Sequence, residues 1–176
     1  GLYTAAANAI TCLVVKEGIR ALAVGLPGEH ANPTDIEARS SALYGAWLCG
    51  TVLAQGGMAL HHKLCHTLGG SFNLPHAQTH TVVLPYVLAF NASHAEDAMH
   101  GMAEALGTTG SAAAAVWDLA HRHGAPTSLR ALGMTEPDLD RAADLATERP
   151  YWNPRPVDRA AVRAVLQAAF DGARPD

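Results

Sequence analysis

The sequence predicts an all-α protein, and three observations support that prediction. Apolar residues make up 49% of the 176 residues and recur at the three- and four-residue spacing of amphipathic helices. Val, Ile, Thr and aromatic residues never alternate with polar residues over enough positions to indicate a strand. Gly and Pro occur in short groups that divide the chain into segments of helix length.

The first two predicted helices precede residue 58. The first covers Tyr3 to Ala23 and should stop at Gly25-Leu26-Pro27-Gly28, since Gly and Pro are the poorest helix formers. Asn32-Pro33-Thr34-Asp35 supplies a capping residue and a Pro near the first turn. A second helix should therefore begin there and end near Gly56-Gly57.

The third and fourth predicted helices cover Met58 to Leu68 and Thr79 to Phe90. Gly69-Gly70 and Leu74-Pro75 should break the helical pattern between them, which leaves His76 just ahead of the fourth helix. Pro85 should start or kink that helix, because its ring clashes with the preceding turn.

Five further helices are expected after Asn91, separated by Gly and Pro. They cover Ala95 to Leu106, Ser111 to His121, Ser128 to Leu132, Asp138 to Thr147 and Val157 to Phe170. Gly172 should stop the last helix and leave Ala173 to Asp176 as a loose tail. Trp47, Trp117 and the Leu and Val stripes follow helical spacing and are expected in the core.

Composition narrows the class of protein. Charged residues are only 16% of the chain and the net charge is -4, so no basic stripe is available to neutralise nucleic-acid phosphates. No apolar run approaches the roughly 20 residues needed to cross a bilayer. Cys12, Cys49 and Cys65 are odd in number and far apart, which is typical of reduced cysteines in a cytoplasmic protein. Cys65 is expected to pack rather than react.

Histidines are concentrated in one segment. Five of the ten lie between residues 61 and 80, namely His61, His62, His66, His76 and His80. His62 and His66 are four apart, as are His76 and His80, so each pair would share one face of a helix. Imidazole binds metals and moves protons near neutral pH, and the segment therefore predicts the active-site part of an enzyme. The alternative is a set of surface or capping histidines. Asp118, His121 and His123 are assigned to a solvated helix face.

The motif H-x-x-x-H-x-L-G-G from His62 to Gly70 is followed by Pro75-His76. In an all-helical chain it resembles the C-terminal domain of the iron-containing alcohol dehydrogenase superfamily, which has a dehydroquinate synthase-like fold. The longer segments 61–70 and 79–85 are similar to the maleylacetate reductases within that superfamily, as are 35–50 and Asn153-Pro154-Arg155.

The resemblance implies reduction of maleylacetate to 3-oxoadipate with NADH or NADPH, in bacterial degradation of aromatic compounds. It also implies a homodimer. Two alternatives remain: another iron- or zinc-dependent alcohol dehydrogenase, and an inactive helical binding module that stands alone. On the first interpretation residues 1–176 are the C-terminal helical substrate and metal domain. The N-terminal nucleotide-binding domain would precede Gly1, where the chain opens without Met.

The resemblance also assigns roles to particular residues. The catalytic residues it implies are His62, His66 and His76, with His66 also near the nicotinamide. His62 and His76 match two ligands of a divalent metal, Fe or Zn, if this branch keeps one, and the other two ligands would lie just before Gly1. Two imidazoles alone are too few for a tight site. Residues expected to bind the two carboxylates of the substrate are His61, Lys63, His80 and Arg155.

Overall fold

A computed structural model describes residue 2, residues 7–56 and residues 58–176, and in these residues all regular structure is helical. These residues form eight α-helices, in chain order α1 (Ala9–Ala31), α2 (Ile36–Gly56), α3 (Leu60–Phe72), α4 (His76–Asn91), α5 (Glu96–Ala105), α6 (Ala112–Arg122), α7 (Asp138–Thr147) and α8 (Arg159–Asp171). The predicted all-α fold is confirmed. None of the described helices is both long and apolar enough to span a bilayer.

α1 and α2 form a hairpin of two long helices packed closely against each other. The predicted stop at residues 25–28 is wrong, because α1 continues through Pro27 to Ala31. Glycine does not end a helix here but allows α1 and α2 to approach each other closely. A Cβ added at Gly45 would lie 2.7 Å from the carbonyl oxygen of Gly18. The expected start at Tyr3 lies outside the described residues, and Asn8 caps α1.

The main core is built from α3, α4, α7 and α8. Leu60, Leu64 and Leu68 recur every fourth residue on α3 and are fully buried. Burial of this stripe holds α3 helical through the predicted break at Gly69-Gly70 and on to Phe72. The helix ends instead at Asn73, which adopts the left-handed conformation with φ 54°.

α4 differs from its predicted limits at its N-terminus. It begins at His76 rather than Thr79, and Pro75 occupies the N-cap position. Pro85 does not start the helix, which continues beyond it to Asn91 with Pro85 buried. The side-chain hydroxyl of Thr79 is also buried, and it donates to the carbonyl oxygen of Pro75 at 2.7 Å, which ties down the first turn.

The remaining helices follow the prediction with one exception, and two other predictions, the loose tail and the core position of Trp47, are wrong. The predicted helix at 128–132 is only a 3-10 turn, Arg130–Leu132. The predicted loose tail is held, since Arg174 donates two hydrogen bonds to Asp118, at 2.7 and 2.8 Å. Trp117 packs against the core as predicted, but Trp47 is 65% exposed, so its assignment to the core is wrong.

Candidate active site

α3 and α4 pack together and bring five histidines into one continuous group, which we call the histidine cluster. Its members are His61, His62, His66, His76 and His80. The ring centroid of His80 lies 4.9 Å from that of His61, 5.2 Å from that of His62 and 4.4 Å from that of His76. His66 joins through His62, at 6.2 Å. Their spacing along the sequence thus places the five histidines on one surface.

Local packing explains why these side chains turn away from the core. On α3 the leucine stripe faces inward, so His61 and His62 are only partly buried and His66 is exposed. On α4, Val82 and Val83 are fully buried, whereas His80 is partly buried and His76 is exposed. The cluster therefore grades from a partly buried end to a solvent-exposed end.

A pair of amides, the buried Asn91 and the partly buried Asn153, fixes the start of α3. The amide nitrogen of Asn153 donates to Oδ1 of Asn91 at 2.7 Å, and Asn91 donates back to Oδ1 of Asn153 at 3.3 Å. The backbone N–H of Leu60 also donates to Oδ1 of Asn153, at 3.4 Å. This network holds the residue before His61 beside the end of α4. Sequence reasoning missed Asn91, although a lone Asn directly after the apolar residues of a helix is the available signal.

Burial controls the protonation of the cluster. It lowers the pKa of His61 to about 3, with a smaller effect from the neighbouring rings of His80 and His62. The pKa of His80 falls to about 4, again chiefly through burial, and then through His76, His62 and His66. Burial also lowers the pKa of His62. These three imidazoles are therefore neutral at pH 7, and each offers one N–H donor and one lone pair rather than a positive charge.

Lys63 and Arg155, the two expected cationic groups, lie in different places. Lys63 is on α3, three residues before His66 and so on a neighbouring part of the same surface. Arg155 instead donates to the backbone carbonyl oxygen of Phe90 at 3.0 Å, and its guanidinium lies 4.3 Å from the centroid of the Phe90 ring. Phe90 is ten residues after His80, about 15 Å along a helix. These contacts give Arg155 a structural role, and a substrate contact stays a prediction.

Cys65 is packed and His121 is exposed, as expected from the sequence, whereas His123 is partly buried, with its ring 4.9 Å from that of His30. Cys65 is 1% exposed, and burial raises the pKa of its thiol to about 12, so it remains protonated and unreactive at neutral pH. Asp118 is paired with Arg174, and the ring of His121 stacks on Trp117 at 4.6 Å. Neither contact belongs to the histidine cluster.

A family model for the C-terminal part of the Fe-containing alcohol dehydrogenase family matches residues 1–170. The chain belongs to this family. In the structure the H-x-x-x-H segment of the motif lies on α3, and His76, directly after Pro75, begins α4.

Relatives within the iron-containing alcohol dehydrogenases share a narrower name. The maleylacetate reductases of Burkholderia cepacia and Rhizobium sp. strain MTP-10005 are 54% and 53% identical to this chain over 174 and 175 residues. Each match covers 99% of this chain and 49% of the relative. The chain thus spans about half the length of the curated relatives it matches.

Solved structures of family members have the same helical arrangement. The maleylacetate reductase from Agrobacterium tumefaciens has a TM-score of 0.94 at 52% identity, covering 99% of this chain and 49% of its own. A protein from Ralstonia eutropha JMP134, provisionally named an alcohol dehydrogenase, has a TM-score of 0.96 at 61% identity, covering 99% of this chain and 50% of its own. The all-α architecture of the chain is therefore that of the family.

Proposed function

We propose that this chain is the helical, substrate-binding half of an NAD(P)H-dependent maleylacetate reductase, which converts maleylacetate to 3-oxoadipate. The observation that carries the proposal is the histidine cluster: His61, His62 and His66 of α3 meet His76 and His80 of α4 on one surface. Identity above 50% to proteins named maleylacetate reductase supports this choice of substrate.

The reaction adds two hydrogens across a C=C bond that is conjugated with a ketone. NAD(P)H, when bound, supplies the hydride to the carbon β to the ketone. Negative charge then builds on the ketone oxygen, and the carbon α to the ketone takes a proton. The protein must therefore place donors near that oxygen and an acid near the α carbon.

The neutral end and the exposed end of the cluster suit these two tasks. His62 and His80, neutral at pH 7, can each direct an N–H toward the ketone oxygen without bringing a charge that would need to be solvated. His66 and His76 are exposed, so a proton can reach them from solvent and pass to the substrate. We assign proton delivery to His66 or His76, with His66 also facing the nicotinamide.

The two carboxylates of the substrate require positive charge or free donors. Lys63 supplies charge, and none of the ion pairs found among the described residues involves it. The first turn of α4 supplies donors, because the N-cap Pro75 has no side chain able to accept from its N–H groups. Neutral His80 can add a hydrogen bond but no charge, whereas the single N–H of neutral His61 donates to the carbonyl oxygen of His80 and is not free for a carboxylate. Of the two histidines expected from the sequence to bind the carboxylates, we therefore keep only His80, as a neutral donor.

The other parts of the enzyme belong to the same proposal. Because the relatives are about twice as long, we assign residues 1–176 to a C-terminal substrate domain and nucleotide binding mainly to an N-terminal domain. A homodimer fits the large exposed apolar residues on α1 and α2. A cytoplasmic location fits the free thiols of Cys12, Cys49 and Cys65.

The iron that the family name implies is only partly accommodated by the residues present. His62 and His76, which match family ligands, are two neutral-nitrogen donors, and neither a carboxylate nor a thiolate of the described residues joins them. A two-imidazole set is too small to hold iron tightly. No step above therefore depends on a metal bound by that pair.

A second candidate function is oxidation or reduction of a simple alcohol or aldehyde. The relative from Ralstonia eutropha, 61% identical, has a provisional name of that class. Such a substrate has no carboxylates, so Lys63 would then have no substrate charge to bind. The substrate preference of the protein separates the two functions.

The test is NADH and NADPH oxidation by the natural protein that contains this chain, with maleylacetate and with simple aldehydes as substrates. We expect turnover of maleylacetate, and a loss of kcat/KM of about 100-fold or more in His62→Ala, since a positioned acid–base or donor group contributes about that much. His100→Ala is the matched control, because His100 is an exposed histidine on α5 outside the cluster.

Two results would contradict the proposal. Turnover of aldehydes with none of maleylacetate favours the second function. Full activity of His62→Ala on maleylacetate shows that the histidine cluster is not the site.

A further inference from the structure

The segment Asn153-Pro154-Arg155 connects the start of α3 to the end of α4, the two helices that carry the histidine cluster. We propose that Asn153 is a positioning residue for this cluster and that Arg155 supports it from the end of α4. This role rests on the proposed function, because the position of the cluster affects turnover only if the cluster is the active site.

The start of α3 is capped from a distant part of the chain. Its N-cap residue is Ala59, whose methyl side chain cannot accept a hydrogen bond from the first turn. The first N–H groups of a helix have no partner within the helix. Oδ1 of Asn153 accepts from the backbone N–H of Leu60 at 3.4 Å and so takes the place of a capping side chain. His61 and His62 follow directly, in the turn that this contact holds.

Both polar atoms of the Asn153 side chain are used in this connection. Its Nδ2 donates to Oδ1 of Asn91 and to the carbonyl oxygen of Arg155, each at 2.7 Å. Its Oδ1 accepts from Nδ2 of Asn91 at 3.3 Å as well as from Leu60. Asn91 is fully buried, so breaking the pair would leave a buried amide without its partner, which is unfavourable. These contacts fix the direction in which the Asn153 amide faces α3.

Arg155 makes the corresponding contact at the other helix. Phe90 lies in the last turn of α4, where carbonyl oxygens have no N–H partner within the helix. The guanidinium of Arg155 donates to the carbonyl oxygen of Phe90 at 3.0 Å and lies 4.3 Å from the centroid of its ring. A positive charge at the C-terminal end of a helix also interacts favourably with the helix dipole. One short segment thus caps the start of α3 and the end of α4.

The two caps determine how the first turn of α3 lies against α4 at the cluster. His61 comes directly after Leu60, and its Nε2 donates to the carbonyl oxygen of His80 on α4 at 3.2 Å. A shift of this turn would lengthen that hydrogen bond and move His62 relative to His80. The rings of His62 and His80, the proposed donors to the ketone oxygen, have centroids 5.2 Å apart. A misplacement of about 1 Å can lower a rate about 100-fold, so the caps should affect turnover.

The test compares the loss of two helix caps in the natural protein that contains this chain. Asn153→Ala removes the acceptor at Leu60. Asp158→Ala removes the N-cap of α8, where Asp158 accepts from the N–H of Ala161 at 2.7 Å, and this contact is local to α8. We expect Asn153→Ala to lower kcat for maleylacetate about 10–100-fold, with KM changed by less than about threefold. Asp158→Ala should leave kcat within about twofold, although loss of a cap lowers the melting temperature of both variants.

Equal changes of kcat in the two variants would overturn the proposal, because Asn153 would then act only through stability. The ring N–H of His61, observed by NMR after ¹⁵N labelling of histidine, gives a second readout that needs no substrate. Its hydrogen bond to His80 should protect this proton from exchange in the wild type and in Asp158→Ala, and the protection should be lost in Asn153→Ala. Protection retained in Asn153→Ala would overturn the positioning role, whatever substrate the protein reduces.

Arg155→Lys tests the same segment by a milder change if Asn153→Ala does not fold. Lys keeps a positive charge at the end of α4, but it cannot donate to the carbonyl of Phe90 and stack on the ring as a planar guanidinium does. We expect kcat to fall by about threefold or more with KM unchanged. A rise in KM at constant kcat would show that Arg155 binds a substrate carboxylate instead, and would overturn its assignment as a support for Asn153.

Discussion

The region of α3, α4, α7 and α8 and the hairpin of α1 and α2 use their apolar residues in opposite ways. In the first region Leu64 and Val83 are completely buried. In the hairpin, large apolar side chains face outward: Ile36 is 74% exposed, Leu43 70% and Trp47 65%. In the described residues, α1 and α2 contact mainly each other, and α1 makes a smaller contact with α5.

This difference in burial shows that the same apolar stripe at helical spacing can be buried in one helix and exposed in another. A helical apolar stripe shows that one face avoids water, but it does not show which surface covers that face. In the core region the cover comes from neighbouring helices of the same chain. On α2, residues 36, 43 and 47 are exposed on the face opposite to α1, and the proposed dimer or second domain would cover them.

The largest predicted effect is a loss of stability from a substitution in the core region, which the same substitution in the hairpin should not cause. Leu64→Ala should lower the free energy of unfolding by about 2–5 kcal/mol, because it removes buried methyl groups and leaves a cavity. Leu43→Ala, the same change at an exposed position of α2, should alter it by no more than about 0.5 kcal/mol. Urea denaturation of the isolated chain measures both. Equal losses would show that Leu43 is buried in solution.

The features that could be predicted from the sequence are those that depend on local spacing. The leucines of α3 and the two His pairs at four-residue spacing were placed correctly on shared faces, because helix geometry determines their direction. The stop of α8 at Gly172, with φ 77°, was also predictable, since the left-handed conformation favours glycine.

Features that depend on contacts between distant segments were not predictable. Gly25 and Pro27 have low helix propensity, but close packing of α1 on α2 outweighs it. The outward position of Trp47 depends on where the other helices lie. In the candidate site, the grouping of His80 with His61 and His62 results from the crossing of α3 over α4. The Asn91–Asn153 pair likewise joins residues 62 positions apart.

A smaller effect is expected from breaking the glycine contact that holds the hairpin together. Gly45→Ala should destabilise the chain by about 1–3 kcal/mol, because the new Cβ meets backbone atoms of Gly18 and Leu22 at 2.7 and 2.9 Å. Gly50→Ala lies on the same helix with nothing within 4 Å of the new Cβ, and should stabilise by about 0.5–1 kcal/mol through helix propensity. Opposite signs in thermal or urea unfolding support the close crossing, whereas the same sign for both rules it out.

The smallest effect concerns the histidines that lie against the core. The pKa of His61 is about 3 in the folded chain and near 6.5 when unfolded, so the unfolded state binds its proton at higher pH. The free energy of unfolding should therefore be highest above pH 6.5 and fall as the pH drops toward 3, with His80 acting in the same direction. Between pH 7 and pH 5 we expect His61 to account for roughly 1–2 kcal/mol of this fall. Urea denaturation at both pH values, with EDTA present, should show a shallower dependence in His61→Asn than in the wild type. An identical dependence would mean that His61 is protonated as readily in the folded chain as in the unfolded one, and hence that this end of the cluster is open to water.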